Sequence, residues 1–403
     1  MRAPAPWLWE IMIMMNSFKE IDDTYVAHTY GRFPVELVSG KGSILKDING
    51  KEYIDLGSGI GVSAFGAADD IWQQAVTAQI GKIQHTSNLY YSEPCALLAK
   101  ALCERTGMKK VFFANSGAEA NECAIKAARK YSQQKKGEEY YTIITLEMSF
   151  HGRTLTCLAA NGQDAFHKLY QPLTPGFVHV PAGDAAAMEK CVAENKIGGI
   201  MIECVQGEGG VTKLDPSYVK AVEEITKKND IPFIVDEVQT GNGRSGYLYS
   251  YMGFGIEPDI VSTAKGLSGG LPLGAAMLGE KVQDIFSPGD HGSTFGGNPT
   301  SCAAALSVLS RIDDDLLKEV REKSDYVFKT LKGSEGIEAV TGMGLMIGIK
   351  PSKRTAGEIV KSCIERGVLA LTAKDKIRLL PALNIPKDQL AEAVEIIKEE
   401  CAK

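Results

Sequence analysis

A lysine, Lys265, stands among small residues in Ser262-Thr-Ala-Lys-Gly-Leu-Ser-Gly-Gly270. Just upstream, the apolar run Ile231-Pro-Phe-Ile-Val-Asp-Glu-Val-Gln-Thr-Gly241 places a carboxylate, Asp236, at its end. Together these two types suit one chemistry. A lysine amine holds the aldehyde of pyridoxal phosphate as a Schiff base, and a buried aspartate keeps the pyridine nitrogen protonated so that the ring accepts electrons. Either residue alone reads as an ordinary strand-end acid or surface base.

A phosphate needs its own seat, and Asn115-Ser116-Gly117-Ala118 offers one. A β-rich run precedes it and a helical pattern follows, so the turn presents unpaired backbone N–H groups at the positive end of a helix dipole. Gly117 lets a ligand approach the backbone. The glycine runs Gly57-Ser-Gly-Ile-Gly61 and Gly342-Met-Gly-Leu-Met-Ile-Gly348 lack the spacing and following helix of a dinucleotide fingerprint. They read as turns, which argues against a nicotinamide enzyme.

The elements that must position these groups alternate between strand and helix, which predicts an α/β fold with a largely parallel sheet. Strands are expected at Lys109–Phe113, Tyr140–Leu146, Gly198–Val205, Pro232–Val238, Asp259–Ala264 and Leu273–Leu278. Ala120, Cys123, Ala124, Ala127, Ala128 and Tyr131 recur at helical spacing after the phosphate turn. Asp215-Pro216 reads as an N-cap and first turn, opening a helix that buries Val219, Val222 and Ile225 and ends near Asn229. From about Leu306 the pattern becomes helix, short strands, then helix, with Gly367 stopping one helix and Leu390–Ile397 forming the last. The expected layout is a large domain over 63–305 and a smaller α+β domain built from 15–62 and 306–403.

Composition excludes several classes. The chain has 403 residues, long enough for a large and a small domain with ample core. Its net charge of −6 leaves no basic footprint, so no nucleic-acid partner is expected. The nine cysteines are odd in number and scattered, which suits a reducing cytoplasm and excludes a disulfide frame or structural zinc; no metal site is expected. No apolar stretch reaches the ~18 residues of a membrane span. Met1–Met14 resembles a signal peptide only weakly, because Glu10 breaks its apolar middle, and reads as a dispensable extension.

Beyond these residues, the chain resembles the class III aminotransferases of the type I pyridoxal-phosphate fold, and among them the acetylornithine aminotransferases, from Thr24 to its C-terminus. The resemblance rests on Tyr30-Gly-Arg-Phe-Pro-Val35, Ser87-Asn-Leu-Tyr-Tyr91, Asn115-Ser-Gly-Ala-Glu-Ala-Asn121 and Ser149-Phe-His-Gly-Arg-Thr154. It continues through Gln206-Gly-Glu-Gly-Gly210, Asp236-Glu-Val-Gln-Thr-Gly241, Ala264-Lys-Gly266 and His291-Gly-Ser-Thr-Phe-Gly-Gly-Asn298.

It implies a role for each matching position. Lys265 would be the Schiff-base lysine and then the proton-moving base, so its pKa must fall below the ~10.4 of a free lysine. Asp236 would pair with the pyridinium nitrogen, Gln239 with the ring oxygen, and Phe150 would stack on the ring. Ser116, Gly117 and Ala118 would hold the phosphate. Thr294 would reach the phosphate of a neighbouring subunit's cofactor, implying a homodimer with shared sites. Arg153 would bind a substrate carboxylate. Arg378 would take the α-carboxylate of glutamate, with Glu208 neutralising it whenever a distal-amine substrate is bound. Ser293 would contact the donor.

Specificity follows the same resemblance. Ornithine δ-aminotransferases carry a tyrosine where this chain has Ile60, and an apolar residue there suits an acylated nitrogen better than an ammonium. That implies N2-acetylornithine as amine donor, 2-oxoglutarate as acceptor and a place in arginine biosynthesis. Ornithine, succinylated ornithine or diaminopimelate, and 4-aminobutyrate stay open as donors, because such pocket changes shift preference by only about 1–3 kcal/mol. An aminomutase and a non-catalytic cofactor-binding protein are the readings from other classes. The chain departs from the family at Gly66-Ala-Ala-Asp-Asp-Ile71, where relatives carry Gly-His-x-His-Pro, and at Cys204 and Met148. Asp69 or Asp70 is expected to cap the helix that starts there.

Overall fold

The computed structural model describes residues 18–403; the expected extension Met1–Met14 lies outside them. A seven-stranded sheet runs in the order Lys110–Ala114, Gly274–Leu278, Ile260–Thr263, Phe233–Asp236, Ile197–Ile202, Thr142–Leu146, Phe177–Val180. Gly274–Leu278 is antiparallel to both neighbours, and every other pair is parallel. The strands Ile197–Ile202, Phe233–Asp236 and Ile260–Thr263 are buried at every residue. Continuous apolar runs of this kind belong to a sheet covered by helices on both faces, the α/β arrangement the sequence predicts.

The structure corrects three details. Phe177–Val180 adds an edge strand whose half-buried residues carry no clear alternation. The run expected as Gly198–Val205 is two strands: Ile197–Ile202 stays in the large sheet, while Val205–Gln206 leaves it to pair with Thr212–Lys213. The helix after the phosphate turn runs past Tyr131 to Lys136, because its last turn is polar and gives no apolar marker.

Local chemistry sets the helix ends. Asp215 accepts from Ser217 N at 2.8 Å ahead of Pro216, and the helix buries Val219, Val222 and Ile225 before ending at Asn229. In the segment that departs from the family, Asp69 accepts from Trp72 N at 2.8 Å and caps Asp70–Ile80. Asp69 also pairs with Arg311 at 2.9 Å, so the cap is anchored to a distant helix end.

The two chain ends meet. Leu37–Lys41, Ile44–Asp47 and Glu52–Asp55 form an antiparallel sheet, and Val368–Leu369 adds to it parallel to Glu52–Asp55. A second sheet orders Ile337–Met343, Met346–Pro351, Lys376–Leu379 and Leu371–Ala373. In the large sheet, Ala114, Ile202, Asp236 and Thr263 all end strands pointing the same way, the edge where open α/β sheets bind ligands.

Candidate active site

At that edge the loop after Ala114 turns into the helix Gly117–Lys136. Ser116 caps it, accepting from Glu119 N at 3.2 Å, while Glu119 Oε2 turns back to accept from Asn115 N at 2.5 Å. A Cβ on Gly117 would lie 2.6 Å from the Val238 side chain, so glycine is what lets the loop after Asp236 pack against the helix start.

Asp236 is buried and heavily used. Its Oδ2 accepts from Asn121 Nδ2 and His151 Nδ1, both at 2.8 Å, and its Oδ1 accepts from Val238 N at 2.9 Å. A carboxylate offers about four acceptor positions, so capacity for one more donor remains. Burial opposes a charge on His151, yet the Asp236 and Glu203 carboxylates outweigh it and raise its pKa.

Lys265 follows strand Ile260–Thr263 in a single 3-10 turn with left-handed backbone, φ 47°. Asn242 Nδ2 fixes the turn by donating to Thr263 Oγ1 at 2.9 Å and Ala264 O at 3.1 Å. Trp72 Nε1 holds its far side through Ser268 O at 2.7 Å. Among the described residues, none accepts a hydrogen bond from Lys265 Nζ. Burial pushes the amine below its ordinary 10.5, and the Arg378 cation adds to this against Glu208, Asp236 and Glu203. The neutral, nucleophilic fraction therefore grows at lower pH than for a free lysine. Uptake of pyridoxal phosphate by the apoprotein is expected to accelerate with pH with a midpoint below 10.5. Stopped-flow absorbance measures this; a midpoint at or above that value would contradict it.

One cavity of about 430 Å³ is lined by Ser116, Gly117, Ala118, Phe150, Arg153, Asp236, Gln239 and Lys265. That volume lies in the usual range for cofactor sites. The donor set fits pyridoxal phosphate: an amine for the aldehyde, a carboxylate with an open acceptor position, an aromatic face, and a helix N-terminus for the phosphate.

Behind Gln239, Arg378 comes from strand Lys376–Leu379 and is buried. Its Nη1 donates to Glu208 Oε1 at 2.5 Å and to Gln239 Oε1 at 3.2 Å, while Gln239 Nε2 donates to Glu208 Oε1 at 3.3 Å. Its Nε is buried without a partner among the described residues. Burial opposes charge on Glu208, but Arg378 overrides it and holds the carboxyl below its ordinary range. Arg153 is exposed at the cavity wall.

Five predicted residues lie outside the lining: Glu208 and Arg378, which reach it through Gln239, and Ile60, Ser293 and Thr294. Ile60 is 43% exposed with φ 65°, and Val62 lines the wall instead. A Cβ on Gly266 would sit 3.4 Å from Gly61 O, so the Ile60 loop abuts the lysine turn. Ser293 Oγ accepts from Asn115 Nδ2 at 3.1 Å, and Thr294 is exposed on the same loop.

Asn121 and His151, which hold Asp236, carry no sequence signal of a role in the site. Glu203 accepts from Phe150 N at 2.9 Å and Gly207 N at 3.3 Å, tying the Phe150 loop to the Glu208 loop. Burial pushes its carboxyl up to about 7. Its signal was a lone charge in the apolar run Ile197-Gly-Gly-Ile-Met-Ile-Glu-Cys-Val205, since a buried carboxyl needs donors.

Comparison with known proteins gives the family. The family model "Aminotransferase class-III" matches residues 25–400. The chain is 48% identical over 385 residues to the acetylornithine aminotransferase of Haemophilus ducreyi, covering 95% of this chain and 98% of that one. Among solved structures, a Toxoplasma gondii ornithine aminotransferase with pyridoxal phosphate partially occupying its active site superposes with TM-score 0.93 at 28% identity, covering 100% and 98% of the two chains. The acetylornithine aminotransferase of Elizabethkingia anophelis gives TM-score 0.84 at 32% identity, covering 95% and 97%. With both family and cofactor seat in place, the chain belongs to the class III aminotransferases and is a pyridoxal-phosphate-dependent transaminase.

Proposed function

We propose that this enzyme moves the distal amino group of N2-acetylornithine to 2-oxoglutarate, giving N-acetylglutamate 5-semialdehyde and glutamate in a ping-pong cycle that serves arginine biosynthesis. The observation that carries this reading is the Arg378–Glu208 pair at 2.5 Å beside the Lys265 amine. One pocket must take a distal amine in one half-reaction and an α-amino acid in the other. With Glu208 in place, Arg378 is neutralised and a distal-amine chain extends past it. With Glu208 displaced, its guanidinium takes the glutamate α-carboxylate as a bidentate pair.

When bound, pyridoxal phosphate supplies the aldehyde and the electron-accepting ring. Lys265 Nζ would hold it and, once free, would move the proton from the substrate carbon. Asp236, fixed by His151 and Asn121, keeps a proton on the ring nitrogen. Ser116, Gly117 and Ala118 would hold the cofactor's phosphate, Phe150 would offer its ring an aromatic face, Gln239 would support its oxygen, and Arg153 would bind the substrate carboxylate remote from the reacting carbon. Ile60 and Ser293, outside the cavity lining, would border the acyl end of a donor that extends beyond it, where an apolar side chain favours an acylated nitrogen over ornithine's free ammonium.

We further infer a homodimer in which Thr294 reaches the partner's cofactor phosphate. Leu89 at 88%, Tyr90 at 71% and Phe295 at 60% exposure support this, because Asn88 Nδ2 ties their two loops together through Ser293 O and Gly296 O. Exposed apolar surface of that density marks an interface. The division into 63–305 and a smaller unit from 15–62 and 306–403 belongs to the same reading. So does a cytoplasmic location, with which nine unpaired cysteines agree.

Single additions of amine donor to the purified holoprotein test the reading through the absorbance of the bound cofactor. Rapid bleaching with N2-acetylornithine, restored by 2-oxoglutarate, is expected. Bleaching mainly with ornithine or 4-aminobutyrate would keep the mechanism and replace the donor; no bleaching with any would discard the reading. Glu208→Gln leaves Arg378 permanently charged toward the pocket, so the glutamate half-reaction should gain about tenfold over the acetylornithine one. An unchanged ratio of the two half-reaction rates would sink the switch.

A further inference from the structure

Arg153 has an unusual setting. Its guanidinium carbon lies 4.4 Å from the ring centre of Phe166 and 5.4 Å from that of Phe150. The two rings meet edge to face, with centres 5.5 Å apart and planes at 66°. Among the described residues, no carboxylate or carbonyl takes a hydrogen bond from this guanidinium. A guanidinium is a flat cation with faces that sit well on aromatic rings and an edge of N–H donors that matches a carboxylate. Here the guanidinium carbon sits over both rings, and its N–H donors are left for a ligand.

Phe166 is absent from the lining of the cavity, so its ring touches Arg153 rather than the cofactor seat. Its mounting is firm. It sits on the short helix Asp164–His167, whose preceding residue Gln163 is buried and donates to Met148 O at 3.2 Å and Ser149 O at 3.0 Å. His167 Nε2 lies 3.0 Å from Leu158 O at the other end of the helix. The helix Asp164–His167 is thereby tied to Met148 and Ser149, which lead into the Phe150–Arg153 loop.

We propose that Phe166 is a positioning residue that holds Arg153 with its donor edge toward the substrate and so sets affinity for the carboxylate of both amine donor and oxo-acid acceptor. This rests on the reading of Arg153 as the carboxylate-binding group. Without the ring, the long side chain samples many rotamers, and binding must order it each time. The loss falls on substrate binding and leaves the chemical step alone.

Steady-state kinetics of the holoenzyme test this with Phe166→Leu, Phe166→Met and Phe166→Tyr, each also in an Arg153→Gln background. Leucine or methionine should raise KM for both substrates about five- to tenfold, with kcat within twofold, and tyrosine should restore the wild-type KM. In the Arg153→Gln background, loss of the ring should add nothing. If Arg153→Gln raises KM while the ring-less variants do not, the proposal falls and the reading of Arg153 stands. If Arg153→Gln also leaves KM unchanged, that reading fails and the proposal with it. Equal losses of kcat and thermal stability in both backgrounds would mark Phe166 as a support of the fold only. Methionine, less bulky and flexible, keeps the test open if the leucine variant does not fold.

Discussion

Lys265→Ala is expected to lower transaminase turnover by at least ~10⁴-fold while leaving the fold intact. General base catalysis alone contributes about 10²–10⁴, and the covalent hold on the cofactor comes on top of it. Stability should not suffer, because burial already works against the amine's charge and no hydrogen bond of Nζ is lost among the described residues. The left-handed backbone at this position, φ 47°, strains alanine no more than lysine. The cofactor should still bind through the 116–118 turn and Asp236, now with the spectrum of a free aldehyde. Small primary amines should restore a fraction of the activity by occupying the vacated space. Thermal melts and assays without and with such amines decide the matter: substantial turnover without them would remove Lys265 from its role.

Asp236→Ala should cost both stability and activity, and Asp236→Asn should separate the two. The carboxylate takes hydrogen bonds from Asn121, His151 and Val238, all in the interior. Alanine leaves these donors unpaired and removes the anion that offsets a buried imidazole, a loss of about 3–5 kcal/mol. Asparagine keeps the shape and an acceptor oxygen, so much of the melting temperature should return. Its amide carries no negative charge to keep the cofactor's ring nitrogen protonated, so turnover should stay down by ~10²-fold or more; that corresponds to about two pKa units of lost proton affinity at 1.36 kcal/mol each. Near-normal kcat/KM in Asp236→Asn would show that the carboxylate serves packing alone.

The readings that survived from sequence to structure depend on neighbours close along the chain. Asp215 and Pro216 open a helix, and Asp69 caps another where the familiar family segment is missing. Each rests on a side chain and an N–H two or three residues away, a contact the sequence itself places together. The burial of Ala120, Cys123, Ala124, Ala127 and Ala128 follows from helical spacing alone. Lys265 and Asp236 were legible because their residue types are rare at the ends of apolar strands and chemically specific.

Tertiary structure decided the rest. Apolar runs announce strands but not their direction, so the reversal of Gly274–Leu278 between two parallel neighbours was invisible. So was the exit of Val205–Gln206 from the large sheet. The contacts that define the site join residues far apart: 115 positions separate Asn121 from Asp236, 85 separate His151 from it, and 170 separate Glu208 from Arg378. Resemblance pointed to Glu208 and Arg378; only the fold brought them to hydrogen-bond distance and left Arg378 Nε unpaired beside them. No local rule places Phe166 against Arg153 or Glu203 between two loops, because hydrophobic pattern and caps specify which face is buried, while the partner that covers it is chosen by how the layers pack. The sequence by itself determined the chemistry and the elements that carry it; packing decided which distant side chains complete the site.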